Sequence, residues 1–137
     1  MAGSRSKGPR KKRVLIADDN ATYRRALRSV VGRVPSVEVV GEASGGAECL
    51  QLVESLSPDV VLLDVNMPEP GGLELTRRLK SRPHAPCVVV LSLSDDGRSR
   101  DAAFSAGADA YVPKAAAMKE LVPMLALDVF PSQRPQG

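Results

Sequence analysis

Polar side chains able to do chemistry stand directly after the apolar runs of this chain. Apolar runs occupy residues 14–17, 60–63 and 88–91, and a shorter one occupies 110–112. The polar side chains that follow these four runs are, in order, Asp18 with Asp19, Asp64, Ser92 and, beyond Pro113, Lys114. In an open parallel sheet, ligands bind in the crevice at the carboxyl ends of the strands. If the runs are strands of such a sheet, three carboxylates, a hydroxyl and an ammonium meet at one edge.

That set of groups suits the binding of a hard cation and a phosphoryl group. Three carboxylates repel one another by about 4 kcal/mol per pair at a separation of about 4 Å and an effective dielectric constant of 20. A fold tolerates this repulsion when a cation lies among them, and oxygen atoms are the ligands that Mg²⁺ prefers. The cation would also neutralise charge during phosphoryl transfer to a carboxylate. Lys114 would pair with the phosphoryl group or an acid, and Ser92 would donate a hydrogen bond to the phosphoryl group.

The apolar runs have the composition of strands in a parallel sheet. Those at 14–17, 60–63 and 88–91 are continuous and aliphatic, which is typical of strands buried on both faces. The charge within 37–40 and the shortness of 110–112 predict two edge strands. Five strand–helix repeats therefore predict an α/β fold with a parallel sheet covered by helices on both faces.

Apolar spacing and end signals place the helices between the strands. The first helix is indicated by a stripe at helical spacing: Tyr23, Ala26, Leu27, Val30 and Val31. The fifth is indicated by a second stripe: Met118, Leu121, Val122, Leu125 and Val129. We expect the other three at about 44–56, 73–80 and 98–106, the last ended by Gly107. Because proline is tolerated only in the first turn of a helix, Pro123 predicts that the fifth helix begins near residue 118.

Four segments, in this order, resemble the receiver domains of bacterial two-component response regulators. They are LIADDN at 15–20, DVNMP at 64–68 with GLEL at 72–75, VLS at 90–92 and GADAYVPK at 107–114. The likeness covers roughly residues 13–130. It implies a flavodoxin-like (βα)5 three-layer sandwich whose five-stranded parallel sheet has the order 2-1-3-4-5. Ser92 and the last segment are most similar to receivers of the NarL/FixJ type, which usually carry a DNA-binding domain.

The resemblance implies a phosphoacceptor and a metal site. Asp64 is expected to accept a phosphoryl group from a histidine kinase or a phosphotransfer protein. Mg²⁺ is the implied cofactor, with Asp64, Asp19 and the backbone carbonyl of Asn66 as ligands and Asp18 acting through water. No other cofactor is implied, and the activity expected is Mg²⁺-dependent self-phosphorylation and dephosphorylation of a signalling module.

The resemblance also implies a switch. Lys114 is expected to pair with the phosphoryl group, Ser92 to move and hydrogen-bond to it, and Tyr111 to turn into the space vacated. The face formed by the fourth helix, the fifth strand and the fifth helix would then change its affinity for an output protein or a DNA-binding domain. Homodimerisation on phosphorylation is a further outcome that the resemblance allows. The chain would be either a stand-alone receiver or a piece of a longer transcriptional regulator.

Two departures from the family pattern keep alternatives open. Leu93 follows Ser92 where the family usually has alanine or glycine, and it would either narrow access to Asp64 or pack against the fourth helix. Ala115 replaces a frequent proline after Lys114. One alternative is a pseudo-receiver that binds partners without phosphorylation, supported only by Leu93. Another is a small phosphatase, disfavoured because Asn66 stands where that chemistry needs an acid.

Charge divides the chain into a basic leader and an acidic body. Residues 1–13 hold six basic groups and no acid, and removing six from the 19 basic groups leaves 13 against 16 acids, a net charge of −3. We predict a basic, disordered leader at 1–12, a receiver domain at 13–130 and a disordered tail at 131–137. Only the leader is expected to contact nucleic acid. No run approaches the ~20 apolar residues of a membrane span, so we expect a cytoplasmic protein without membrane contact.

Overall fold

The aliphatic runs form a five-stranded parallel sheet. The structure is a computed structural model that describes residues 10–130. Its strands are β1 (Lys12–Ala17), β2 (Val37–Ala43), β3 (Val60–Asp64), β4 (Cys87–Ser92) and β5 (Ala110–Pro113). Its helices are α1 (Ala21–Val31), α2 (Gly46–Leu56), α3 (Gly72–Lys80), α4 (Gly97–Ser105) and α5 (Lys114–Leu127). The strand order β2-β1-β3-β4-β5 confirms the predicted fold and both predicted edge strands.

The core lies in two layers, one on each side of the sheet. Successive strand residues point to opposite faces, so Val14 and Ile16 pack in one layer with the apolar sides of α1 and α5. Leu15 and Ala17 pack in the other layer with α2, α3 and α4. All five residues of β3 are buried. Each fully buried aliphatic side chain contributes about 1.5–3 kcal/mol, and the resulting rigid sheet fixes the positions of its strand ends.

The fifth helix differs from its prediction. It begins at Lys114 instead of near residue 118, and Pro123 lies inside it. Alanine has the highest helix propensity of all residues, so the alanines at 115–117 favour a helix that begins directly after β5. Pro123 is on the exposed side, where the backbone carbonyl left without a partner by its missing N–H can reach water. Val129, predicted to be buried, lies beyond the helix and is 54% exposed.

The boundaries of the other helices agree with the sequence to within two residues, whereas β2 runs three residues beyond its predicted end, to Ala43. The helix predicted at 44–56 begins at Gly46, and the one predicted at 98–106 covers Gly97–Ser105. Gly107 follows that helix with φ of +107°, a conformation that favours glycine. None of the described helices is long and apolar enough to cross a membrane.

The N-terminal edge of the domain starts inside the predicted leader. Lys12 is the first residue of β1 and forms an ion pair with Asp128, while Arg10 pairs with Asp59 at 2.8 Å. These contacts tie the start of β1 to the body of the domain. The rest of the predicted leader, residues 1–9, and the predicted tail at 131–137 lie outside the described residues.

Candidate functional site

The strand ends bring the predicted polar residues to one edge of the sheet. Asp18 follows β1, Asp64 ends β3, Ser92 ends β4 and Lys114 follows β5. Neighbouring strands are in register there, so these positions meet across the sheet. The four side chains are buried, whereas Asp19 is exposed at the rim. A buried polar group needs a partner, and a charged group needs a counter-charge.

Three carboxylates form one cluster at this edge. Asp18, Asp19 and Asp64, which we call the acidic cluster, each present an oxygen within 4.8 Å of the others. The Lys114 ammonium lies 2.7 Å from Asp18 Oδ2 and 3.5 Å from Asp64 Oδ2. One ammonium therefore faces three carboxylates, and the site keeps an excess of negative charge.

The two buried acids divide their oxygens between the backbone and the site. Asp18 Oδ1 accepts a hydrogen bond from the Asn20 N–H at 2.8 Å, and Asp64 Oδ1 accepts one from the Asn66 N–H at 3.0 Å. The Oδ2 atoms face Lys114. Asp18 Oδ2 is fully buried and accepts no well-directed hydrogen bond, so its 2.7 Å approach to the ammonium is an ionic contact only. A buried oxygen with unused lone pairs is free to receive a further ligand.

The electrostatics of Asp64 agree with that excess of negative charge. Burial raises the pKa of Asp64, and the Asp18 carboxylate raises it further. The Asn66 N–H and the Lys114 ammonium act in the opposite direction without cancelling the rise. Burial and the Asp18 charge both disfavour the charged carboxylate, and a divalent cation would relieve the repulsion from Asp18. Hard oxygen donors, an unsatisfied buried oxygen and uncompensated negative charge together fit a cation such as Mg²⁺.

The β1–α1 loop is fixed by contacts that sequence patterns did not reveal. Asn20 caps α1 by accepting a hydrogen bond from the Tyr23 N–H at 2.9 Å. The Arg24 guanidinium donates to the Asp18 carbonyl at 2.6 Å and pairs with Glu42 at 2.9 Å. Arg24 therefore ties the loop that carries the acids to the end of β2. In the sequence, Arg24 is one of the polar positions of the first helix. That position gives no indication of a contact with Asp18 or Glu42.

Tyr23 contacts Lys114 in two ways. Its hydroxyl donates a hydrogen bond to the Lys114 carbonyl at 3.1 Å, and the Lys114 ammonium lies 4.5 Å from the centre of its ring. Burial, together with the charges of Asp18 and Asp64, raises the pKa of Tyr23 to about 12. The hydroxyl therefore stays a donor near neutral pH. Sequence spacing assigned Tyr23 only to the buried stripe of the first helix.

The β3–α3 loop is held by a close approach of two backbones. A Cβ atom on Gly72 would lie 2.4 Å from the Cα of Val65 and 2.8 Å from the carbonyl oxygen of Asp64. Only glycine fits there. Asn66, between these residues, is exposed, and the role of its carbonyl as a metal ligand stays a prediction.

The two predicted switch residues both contact the backbone of Ser94. Ser92 Oγ accepts a hydrogen bond from the Ser94 N–H at 3.1 Å, and the Tyr111 hydroxyl donates to the Ser94 carbonyl at 2.6 Å. Tyr111 is buried, with the Arg100 guanidinium 4.9 Å from its ring centre. Leu93 is 80% exposed, so packing against α4, one of its two predicted orientations, is wrong.

Comparison with known proteins decides the family. Residues 14–126 match the response regulator receiver domain. This chain belongs to the response regulator receiver family. The receiver domain is 38% identical to response regulator GacA of Pseudomonas aeruginosa over 123 residues, which are 89% of this chain and 56% of that protein. It is also 38% identical to the nitrate/nitrite response regulator NarL of Escherichia coli over 101 residues, 74% of this chain and 47% of that protein.

A solved structure extends the likeness to three dimensions. The signal receiver domain of the NarL response regulator from Mycobacterium tuberculosis matches this receiver domain with a TM-score of 0.81 and 32% identity. The match covers 88% of this chain and 96% of that structure. The predicted resemblance to two-component receivers, with NarL-type relatives, is confirmed. The chain spans about half the length of GacA and NarL, its curated relatives.

Proposed function

We propose that this receiver domain accepts a phosphoryl group on Asp64 from a histidine kinase or a phosphotransfer protein, with Mg²⁺ bound in the acidic cluster. The observation that carries the proposal is the buried pair of Asp18 and Asp64 facing a single ammonium, with Asp18 Oδ2 in an ionic contact but without a hydrogen bond. This arrangement favours a cation and then a phosphoryl group. One ammonium can neutralise only one of the two buried carboxylates, and a cation would neutralise the other.

Asp64 Oδ2 is the atom that suits the acceptor role. Its partner Oδ1 is engaged by the Asn66 N–H, so Oδ2 keeps its lone pairs toward the site. Attack by this oxygen on a phosphohistidine forms the O–P bond and breaks the P–N bond, and the imidazole leaves with a proton from solvent. Lys114, 3.5 Å from Oδ2, would pair with the oxygens of the bound phosphoryl group.

The cation would be held by the acidic cluster and the Asn66 carbonyl. When bound, Mg²⁺ supplies positive charge to the phosphoryl oxygens during transfer. The chain's own contribution is to keep the carboxylates in place before the cation arrives. The backbone hydrogen bonds to Asp18 and Asp64 do this, because they fix one oxygen of each acid.

The switch would run through the backbone of Ser94. Ser92 Oγ accepts from the Ser94 N–H, so its own proton is available to a phosphoryl group on Asp64. A move of Ser92 toward that group would break the bond to Ser94, whose carbonyl holds Tyr111. The affected face includes a groove of about 510 Å³ that Leu93, Tyr111 and Glu120 help to line. We assign to this face the contact with an output protein or a DNA-binding domain, or a second copy of the domain.

The test uses beryllofluoride, an analogue of the acyl phosphate, with Mg²⁺. The ring signals of Tyr111, assigned with the variant Tyr111→Phe, should shift when both are added. Asp64→Ala should abolish the shift, whereas Asp101→Asn, which removes an exposed acid from α4, should leave it intact. No Mg²⁺-dependent response, or a response that survives Asp64→Ala, would overturn the proposal. That result is also the one expected of a pseudo-receiver.

A further inference from the structure

We propose that Tyr23 is a positioning residue that holds the Lys114 ammonium at the phosphoryl site. The ring lies 4.5 Å from the ammonium, and the hydroxyl donates to the carbonyl of the same lysine. This inference rests on the proposed phosphoacceptor role of Asp64. It assigns to α1 a function in the chemistry of the site.

Lys114 needs positioning because its charge sits at the end of a flexible stem. In this structure the ammonium lies nearer to Asp18, at 2.7 Å, than to the acceptor Asp64, at 3.5 Å. Both attractions depend on carboxylate charge. A divalent cation in the acidic cluster draws on the same charge and repels the ammonium. Binding of the cation would therefore weaken the attraction between the carboxylates and Lys114 just when the lysine has to pair with a phosphoryl group.

The Tyr23 ring is a contact that the cation does not compete for. Its face attracts the ammonium through the ring quadrupole, which carries no net charge and takes no part in binding Mg²⁺. α1 fixes the ring, because Tyr23 packs against the core layer that includes Leu27, Val31 and the apolar side of α5. The ammonium therefore keeps its contact with the Tyr23 ring, and stays close to Asp64, whether or not a cation is bound to the carboxylates.

The hydroxyl makes a separate contribution. It binds the carbonyl of the first residue of α5, where the N-terminal cap is Pro113 and no side chain caps the helix. The hydroxyl thus fixes the backbone from which the lysine stem starts, while the ring fixes the charged end. The variants Tyr23→Phe and Tyr23→Leu separate the two effects, since the first removes only the hydroxyl and the second removes both.

The first measurement reads the position of the lysine in the free protein. The ring current of Tyr23 should shift the NMR signals of the Lys114 side-chain methylene groups. Tyr23→Phe should keep these shifts and Tyr23→Leu should lose them. Tyr23→Met, which has a similar length and no ring, gives the same comparison if the leucine variant does not fold. Unchanged Lys114 signals in a folded variant without the ring would overturn the inference.

The second measurement compares binding of beryllofluoride and of Mg²⁺ alone. Loss of a desolvated ring contact should weaken beryllofluoride binding about 5- to 30-fold in Tyr23→Leu, and less than about 3-fold in Tyr23→Phe. Affinity for Mg²⁺ alone should not fall, because a less fixed ammonium competes less for the acidic cluster. A merely structural role for Tyr23 would weaken both ligands together, which would contradict the inference.

The outcomes also separate this inference from the proposed function. If the wild-type protein binds beryllofluoride and Tyr23→Leu binds it equally well, only the role of Tyr23 is wrong. If the wild-type protein shows no Mg²⁺-dependent binding of beryllofluoride, the phosphoacceptor role of Asp64 is wrong and the role of Tyr23 falls with it.

Discussion

Removal of one negative charge from the acidic cluster should stabilise the metal-free protein. In the variant Asp64→Asn the side-chain carbonyl keeps the hydrogen bond from the Asn66 N–H, which is 3.0 Å long in the wild-type protein. The amide has almost the same size as the carboxylate and carries no charge. The change therefore removes two unfavourable terms, the burial of the charge and its repulsion by Asp18, which also raise the pKa of Asp64, together with one favourable term, the attraction of Lys114.

Distances in the site set the size of the effect. At an effective dielectric constant of 20, a carboxylate oxygen within 4.8 Å of another is repelled by about 3.5 kcal/mol. The Lys114 ammonium, 3.5 Å away, returns about 4.7 kcal/mol of attraction. Repulsion by Asp19 is weaker because that residue is exposed, and desolvation of the buried charge adds to the cost. The first two terms leave at most about 1.2 kcal/mol of net attraction, and a desolvation cost of several kcal/mol exceeds it, so we expect a net gain of about 1–3 kcal/mol in the free energy of unfolding.

Urea denaturation in EDTA at pH 7 measures this gain. A slope of about 1–3 kcal/mol per molar urea converts 2 kcal/mol into a shift of about 1 M in the midpoint. Asp101→Asn is the matched control, because it removes an exposed acid outside the acidic cluster and should shift the midpoint little. A midpoint for Asp64→Asn that is unchanged or lower than that of the wild-type protein would refute the electrostatic reasoning.

The dependence on pH gives a second check with a definite sign. The pKa of Asp64 is higher in the folded protein than its ordinary value of 3.8, so its charge destabilises the folded state at neutral pH. As the pH falls through the folded pKa toward 3.8, the native carboxyl takes up a proton and this destabilisation is lost. The advantage of Asp64→Asn should therefore shrink on acidification. It should also reverse in Mg²⁺, because only the wild-type protein keeps the full set of acidic ligands.

Three further outcomes are expected from the structure. Lys114→Met should lower the free energy of unfolding at pH 7 by about 3 kcal/mol in urea titrations, because two buried carboxylates lose their cation; a loss under 1 kcal/mol would contradict the buried pairing. Gly72→Ala should cost about 1–3 kcal/mol, since its Cβ would overlap the β3–α3 loop, whereas Gly97→Ala meets nothing within 4 Å and should cost almost nothing; equal thermal midpoints would refute the close approach. The hydrogen bond from Arg28 lowers the pKa of Glu42, so the charged Glu42 stabilises the fold above pH 4.5, and this stabilisation is lost as the pH falls through the folded pKa. In acid unfolding curves, Glu42→Gln should remove this pH-dependent contribution, which is up to about 1 kcal/mol.

Much of the fold could be predicted because its strands bury both faces. An aliphatic run such as 60–63 is typical of a strand buried on both faces, and β3 is buried along its whole length. The charge within 37–40 correctly predicted an edge strand. The start of α5 was predicted wrongly because the prediction relied on the exclusion of proline from helix interiors. The helix preference of the alanines at 115–117 favours an earlier start. The structure shows that Pro123 fits on the exposed side of a helix that begins at Lys114. Tertiary packing decided between the two rules.

The candidate site, like the fold, could be predicted only in part. Asp18, Asp64, Ser92 and Lys114 were predictable because each stands at a strand end, and parallel strands bring their ends together. The partners that fix them come from elsewhere in the fold. Arg24 reaches back from α1 to the Asp18 carbonyl and to β2, and no sequence period encodes such contacts between elements.

The two sides of the site are held by different kinds of contact, and this difference bears on the proposed switch. On the acceptor side, Asp18 and Asp64 each accept a backbone hydrogen bond, and Arg24 and Gly72 fix the loops that carry them. On the other side, Ser92 and Tyr111 are linked through Ser94, whose N–H donates to Ser92 Oγ and whose carbonyl accepts from the Tyr111 hydroxyl. Under the proposed function, new charge on Asp64 would act on Ser92 and, through Ser94, on Tyr111, while the metal ligands stay in place. The β4–α4 loop is itself held, because the Asp96 carboxylate accepts hydrogen bonds from the Ser94 hydroxyl and from the Ser99 N–H. The proposed switch would therefore have to move Ser94 against contacts that tie its side chain to the start of α4.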